Sequence, residues 1–301
     1  MSRVVDSNTG AVSIPDGLYA SVGTLPSSSA LAPQAVYNGG YTNAAEIYVR
    51  IATGGSGQSG LIGAWADAFI KYSVSQGQQP FLVGWYLGDT TESLGLLEAG
   101  SVDIAVTYNE AAELQKMNSK VAVRREYGFR DHFYLVGPST DINPAALKDD
   151  DDILTMFNKI VTTGNAHAIV IPSICYKPDY HGVPWALAYS KWYHQYPQFP
   201  LQALKATSVL NEYTITDRGT WLSSDDAIVA SLHIYKQGGD STVDPLLNPA
   251  HVLLGSKVED KYKEICKGFM DWVVMKDGGQ KVIREFKKKG QVLYSEAPTS
   301  K

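Results

Sequence analysis

The sequence predicts an α/β chain built as two units, and three observations carry that expectation. From Glu46 onward short β-rich runs alternate with segments of helical periodicity, the pattern of sheets covered by helices. The 301 residues are long for one core and sufficient for two of ordinary domain size. After Gly137-Pro138 a second unit begins.

Along the chain, Gly17 to Ala45 carry no charge and are rich in Ser, Pro, Gly and Ala, so residues 1–45 read as an extension, flexible or laid along the surface. Ile47–Ala52 reads as a strand. Leu61–Tyr72 reads as an amphipathic helix with Leu61, Trp65, Ala68, Phe69 and Tyr72 inward. Pro80–Tyr86 is a strand, and Asp89-Thr90-Thr91-Glu92 forms a capping box that opens a helix to Glu98. Val102–Thr107 is a buried strand and Phe133–Val136 another. The acidic run Asp149–Asp152 cannot converge four adjacent carboxylates on one ion, and it fits the negative start of a helix over Ile153–Val161.

Ala168–Ile171 reads as a strand. The aromatics Trp185, Tyr189, Trp192, Tyr193 and Tyr196 fall at helical spacing and form a core face, with His194 structural on the same helix. Tyr213–Ile215 is a short β-rich segment, Thr216 and Asp217 are good helix caps, and Arg218 therefore stands at a strand-to-helix junction. Free N–H groups and the helix dipole favour an anion there. Val258–Met275 is a long amphipathic helix, followed by a shorter one through Lys289, with Lys287-Lys288-Lys289 as its charged last turn. Val292–Tyr294 is a terminal strand. This alternation predicts parallel sheets, with ligands at the carboxyl ends of the strands.

Composition narrows the function. The 31 acidic against 26 basic residues give a net charge of −5, which argues against a nucleic-acid surface. Cys175 and Cys266 lie far apart without metal-ligand spacing, and no stretch has the apolar length of a membrane span. Met1 to Ser7 lack the apolar core of a secretory signal, which favours the cytoplasm unless the chain is a mature secreted form. There is no Gly-x-Ser-x-Gly elbow, phosphate-binding Walker loop, His-Glu-x-x-His or Cys-x-x-Cys, so neither a cofactor nor a metal is expected. Asp131-His132 resembles a carboxylate–imidazole pair, but neighbours on a strand point to opposite faces.

Several ordered segments resemble one family. They are Ser59-Gly60-Leu61-Ile62, Asp89-Thr90-Thr91-Glu92-Ser93, Val102 to Tyr108, Phe129-Arg130-Asp131-His132-Phe133 and Val136-Gly137-Pro138. Tyr213–Thr220, Leu247-Asn248-Pro249, Phe269-Met270-Asp271-Trp272 and Gly279-Gln280-Lys281 continue the match. From about Tyr48 to Pro298 the chain resembles the tungstate/molybdate-binding proteins of the periplasmic-binding-protein-like (type II) fold, as a divergent, eukaryotic-type member. The resemblance implies a two-lobed, hinged α/β protein with a ligand cleft between the lobes. Residues 46–138 plus 230–301 would form lobe 1, and 139–229 lobe 2.

It also implies a site of hydroxyls, backbone N–H groups and an Arg. A desolvated dianion needs many convergent donors. The first ligand loop corresponds to Thr53, Gly54, Gly55, Ser56 and Ser59, with Ser59 suited to cap the following helix, and the second wall to Thr107, Tyr108 and Asn109. The third wall departs from the family: Ser173 stands for its Ser, but no Arg follows, and Lys177 is the nearest charge. Arg218 and the preceding Tyr213 belong to the retained fourth element. Lobe closure is then expected to bring Thr53, Ser56 and the Gly54–Gly55 amides toward Arg218 and the Tyr176–His181 loop.

Two functions remain open. One is a non-catalytic binder of a small anionic ligand, an oxyanion or small carboxylate. The alternative is an enzyme evolved on this scaffold, acting on a small organic substrate by acid–base chemistry with Tyr176, Lys177, Asp179, His181 and Arg218.

Overall fold

The computed structural model describes residues 31–167, 171–173, 193–195 and 200–298. Two compact units share the chain: one draws on residues 1–129, 249–286 and 294–301, the other on 130–248 and 287–293. The elements, in chain order, begin with β1 (Ala35–Tyr37), β2 (Ile47–Thr53), α1 (Gly55–Gln58), α2 (Leu61–Ser75), β3 (Leu82–Leu87), α3 (Thr90–Ala99), β4 (Ile104–Thr107), α4 (Glu110–Asn118) and β5 (Ala122–Pro138). They continue with α5 (Ile153–His167), β6 (Ile171–Ser173), β7 (Tyr193–Gln195), α6 (Pro200–Leu210), β8 (Thr214–Asp217), α7 (Arg218–Ser223), α8 (Asp226–Ser231), β9 (Leu232–Gln237) and β10 (Leu247–Gly255). The last are α9 (Lys263–Val274), α10 (Gly279–Glu285), β11 (Lys287–Lys288), β12 (Gln291–Val292) and β13 (Ser295–Glu296).

In the first unit β2 runs parallel to both β3 and β4, because α2 and α3 supply the long crossovers that parallel pairing requires. The sheet is nevertheless mixed rather than parallel throughout. β10 returns antiparallel to β4, with His251 opposite Thr107, and β1 pairs antiparallel with β3, with Ala35 opposite Trp85. Ala35–Tyr37 thus form an edge strand within the stretch read as an extension. The α2 helix starts at Leu61 but buries a broader face than its pattern suggested. Ile62, Ala66 and Ile70 join Leu61, Trp65 and Phe69, Ala68 is half-buried and Tyr72 faces solvent. Its aromatics meet those of α9 edge-on: the Phe69 and Phe269 rings lie 5.1 Å apart at 90°. Such pairs add to simple area burial.

The capping box at α3 is present as read. Asp89 accepts from the Glu92 N–H at 2.9 Å, while the Glu92 side chain accepts from the Asp89 N–H. The long C-terminal helix is shorter than its periodicity suggested, since Asp260–Tyr262 form a 3-10 turn and α9 begins at Lys263. The reading of the triple-lysine run as a helical last turn fails. Lys287 and Lys288 form a strand of a small hairpin that turns through Lys289 and Gly290, both at positive φ. Gly290 makes that turn inexpensive, and Lys289 donates to Asp226 Oδ1 at 2.6 Å instead of facing a helix end.

In the second unit β5 is flanked by β8 and β9, both antiparallel to it, with Phe133 opposite Asp217 and Val136 opposite Ile234. Leu135, Ile153, Met156, Ile160, Tyr213 and Tyr235 form its core. The acidic run acts as expected: Asp152 accepts from the Thr155 N–H at 2.9 Å at the start of α5. Tyr193–Gln195 correct the helical reading of the aromatic run, because they form a strand parallel to Ile171–Ser173. Trp185, Tyr189, Trp192 and Tyr196 lie outside the described residues.

Candidate functional site

The loop after β2 is held by its neighbours. Thr53 and Ser56 are buried, and their hydroxyls share a hydrogen bond of 2.8 Å. The Trp85 indole N–H donates to the Thr53 carbonyl at 2.9 Å, and its ring packs against Gly57. A Cβ at Gly57 would stand 2.1 Å from that indole, so only glycine fits. Gly55 is exposed with open space above it, and as a first-turn residue its N–H has no intrahelical acceptor. The reachable part of the loop is therefore backbone at Gly54 and Gly55 rather than side chain.

Three residues assigned to binding have other partners. Ser59 does not cap α2, whose N-cap is Gly60 in the left-handed region. Its hydroxyl donates to the Ser56 carbonyl and accepts from Tyr294 at 2.9 Å. Thr107 is buried and donates to Glu113 Oε1 at 2.8 Å. Glu113 also receives Arg125 at 2.9 Å and faces His251 Nδ1 at 3.0 Å. Burial acts to raise the Glu113 pKa, but His251, Thr107 and Arg125 prevail and hold it below the usual carboxylate range. Tyr213 is a core residue: its hydroxyl donates to Asn143 at 2.9 Å and accepts the Ala145 N–H at 3.1 Å. Tyr108 is half-buried with its ring edge-on to Phe129.

Arg218 stands at the first position of α7, as the sequence placed it. Asp217 caps that helix, accepting from the Thr220 N–H at 2.8 Å and from its hydroxyl at 2.5 Å. Both Asp217 oxygens are thereby engaged, and neither pairs with the guanidinium. The Arg218 Nε is buried without a hydrogen-bond partner, and the side chain forms no ion pair among the described residues.

Sequence reasoning set aside the residue that shares this neighbourhood. Asp131 is buried on β5, two residues before Phe133, the partner of Asp217 across the ladder. Its Oδ1 accepts the His132 N–H at 2.8 Å, and the His132 ring goes instead to Asp240 Oδ1 at 2.8 Å. Asp131 and His132 thus do not pair through their side chains, as their strand positions imply. Burial and then the Asp217 charge push the Asp131 pKa well above the carboxylate range, against the pull of the His132 amide and Arg218. Burial raises the Tyr134 pKa, with the Arg218 charge acting to lower it and the Asp131 charge to raise it.

Ser173 closes the strand β6. Tyr176, Lys177, Asp179 and His181 lie outside the described residues. Among the described residues no group of three or more His, Cys, Asp or Glu side chains is arranged to hold a metal ion, and no helix is long and apolar enough to cross a membrane.

The first unit thus has a glycine-rich turn with reachable backbone, and the second an Arg without an ion pair among the described residues. The chain belongs to the PBP superfamily, whose domain matches residues 39–277. It has the two-lobed periplasmic-binding-protein-like fold. A crystal structure of a periplasmic protein provisionally assigned as metal-binding is 43% identical, covers 88% of this chain and 99% of its own, and has a TM-score of 0.79. The tungstate-binding protein TupA from Desulfovibrio alaskensis G20 shares the fold at 22% identity, with a TM-score of 0.67 over 83% of this chain and 98% of its own. The tungstate ABC transporter structure from Geobacter sulfurreducens does so at 21% identity, with a TM-score of 0.60 over 79% of this chain and 98% of its own. No curated protein matches the chain.

Proposed function

We propose that this protein is a non-catalytic binder of a small anion, an oxyanion or small carboxylate, with Arg218 as its charge partner. One observation carries the reading: the Arg218 guanidinium has a buried Nε and no ion pair or hydrogen bond among the described residues. A partly buried cation left unpaired costs free energy that a bound anion would offset. In the first unit the backbone at Gly54 and Gly55 offers neutral N–H donors of the kind an oxyanion takes. The names of the similar proteins are compatible with one chemistry, since tungstate is itself a metal-containing anion. The acid–base alternative rests on Tyr176, Lys177, Asp179 and His181 together with Arg218, and the first four lie outside the described residues.

Thermal shift and calorimetry against tungstate, molybdate, sulfate, phosphate and small carboxylates test the proposal. At least one anion is expected to stabilise the protein. Arg218→Gln should weaken that anion by about 10- to 100-fold, the range of a charged hydrogen bond, at unchanged melting temperature of the free protein. Failure of every anion to bind would remove the reading.

A further inference from the structure

We propose that residues 34–40 are a strap that sets the strength of anion binding at the α1 turn, by holding Trp85 against that turn. The inference rests on the anion-binding reading above and adds positioning residues to it: Tyr37 and Gly39 on the strap, and Trp85 beside it.

Residues 34–40 belong to the uncharged stretch that reads as an extension in sequence, yet they are fastened at several points within the first unit. The Gln34 N–H donates to the Trp85 carbonyl at 2.7 Å, and β1 continues along β3 with Ala35 opposite Trp85 and Tyr37 opposite Val83. The Tyr37 ring lies against Gly63 of α2, where a Cβ would stand 2.8 Å from it. The Gly39 N–H donates to Asp67 Oδ1, also on α2, at 3.0 Å. Gly39 is buried at a φ of +62°, and a Cβ there would stand 2.7 Å from the Ile70 side chain.

These fastenings grip the two elements that flank the α1 turn. The α2 helix follows that turn directly, and β3 carries Trp85, whose indole donates to the Thr53 carbonyl and packs against Gly57. Glycine is unfavourable inside a helix, yet Gly57 and Gly63 both stand in one. Each leaves room for one aromatic ring, Trp85 at Gly57 and Tyr37 at Gly63. A run of contacts therefore leads from the strap through Trp85 to the turn.

A glycine-rich turn has many conformations, and an anion that must select one of them binds more weakly. With the strap seated, Trp85 fixes the carbonyl before Gly54 and the residue two after Gly55, so the reachable backbone is ordered before any ligand arrives. With the strap released, β3 becomes the edge of the sheet and Trp85 loses the bond to its carbonyl. Linkage makes the effect mutual: a strap that favours binding is itself favoured by the bound anion, by the same factor.

The test is amide hydrogen exchange with and without a saturating anion, the one of tungstate, molybdate, sulfate and phosphate that calorimetry shows to bind. In the unmodified protein the anion is expected to slow exchange at residues 34–37 by about fivefold or more, the lower end of ordinary coupling. Gly39→Ala forces a side chain into left-handed backbone and onto Ile70. It should speed exchange at residues 34–37 and 55–57 and weaken the anion by about fivefold or more. Asp67→Ala removes only the acceptor of the Gly39 N–H and should act in the same direction, so the outcome does not depend on whether Gly39→Ala folds. A strap that serves stability alone would lower the melting temperature and leave the affinity unchanged. Faster exchange at residues 34–37 with unchanged affinity would overturn the proposal, as would a bound anion that leaves exchange there unaltered. In either case anion binding itself stands. If none of the four anions binds, the anion reading falls, and exchange at residues 55–57 in the two variants still decides whether the strap holds the turn.

Discussion

At the scale of single residues, two arginines define what pairing means here. Arg50 is buried and paired. Its N–H and Nε donate to Asp103 Oδ2 at 2.9 and 3.1 Å, and its Nη2 donates to Oδ1 at 2.8 Å and to the Gly100 carbonyl at 3.2 Å. Arg218 is less buried yet has no such partners. The contrast gives Arg218 its functional reading and makes Arg50 structural. Asp103→Asn should cost about 3–5 kcal/mol in urea unfolding, because it strands a buried guanidinium without its countercharge. A loss below about 1 kcal/mol would show that the pair is solvated and not part of the core.

At the scale of elements, short turns fix the candidate groups more than long helices do. The α1 turn is pressed under Trp85, which holds the Thr53 carbonyl at 2.9 Å and covers Gly57. Gly57→Ala must displace the indole, since its Cβ would stand 2.1 Å from that ring. Over-packing of this kind should cost about 1–3 kcal/mol, together with a change in the fluorescence of Trp85 and weaker anion binding. Unchanged fluorescence and stability would mean that the loop is not held by Trp85. On the other unit, Asp217 sets Arg218 at the start of α7 with one cap and two bonds to Thr220. Both devices were partly legible: Thr216-Asp217 before Arg218 announces a cap, and a Gly-rich loop announces close approach. That the neighbour pressing on Gly57 is Trp85 was not, because it comes from the next strand of the sheet.

At the scale of the whole molecule, buried carboxyl groups of the two units are tuned in opposite directions. In the first, Glu113 has its folded pKa lowered: its contribution is fully present above the unfolded value near 4.3 and is lost as pH falls through the folded value. In the second, burial pushes Glu212 up to about 7, and Asp131 is raised by burial and Asp217. Those groups favour folding below the unfolded carboxylate range, and their contribution is lost as pH rises through the folded value. Hydrogen exchange corrected for intrinsic rates should therefore show the second unit losing protection between pH 5 and pH 8, and Glu212→Gln should reduce that loss. The first unit should weaken only on acidification below about pH 4.5, the carboxylate range. A second unit whose protection is constant over pH 5 to 8, or unaffected by Glu212→Gln, would contradict the assignment.

The sequence by itself determined the family, the α/β alternation, the Asp89 and Asp217 caps and the place of Arg218. All of these follow from local periodicity and from residues a few positions apart. It did not reveal that the hydroxyls of Thr107, Ser59 and Tyr213 are engaged by Glu113, Tyr294 and Asn143, the last two from far along the chain. It read Lys287 to Lys289 as a helix end because charge at a helix terminus and charge in a hairpin look alike in one dimension. It passed over Asp131 because strand alternation separates Asp131 from His132 and says nothing about what lies across the ladder. Only the tertiary structure set Phe133 opposite Asp217, and with it Asp131 two residues along the same strand, since antiparallel register joins positions 133 and 217, 84 apart, in a way that no local pattern encodes.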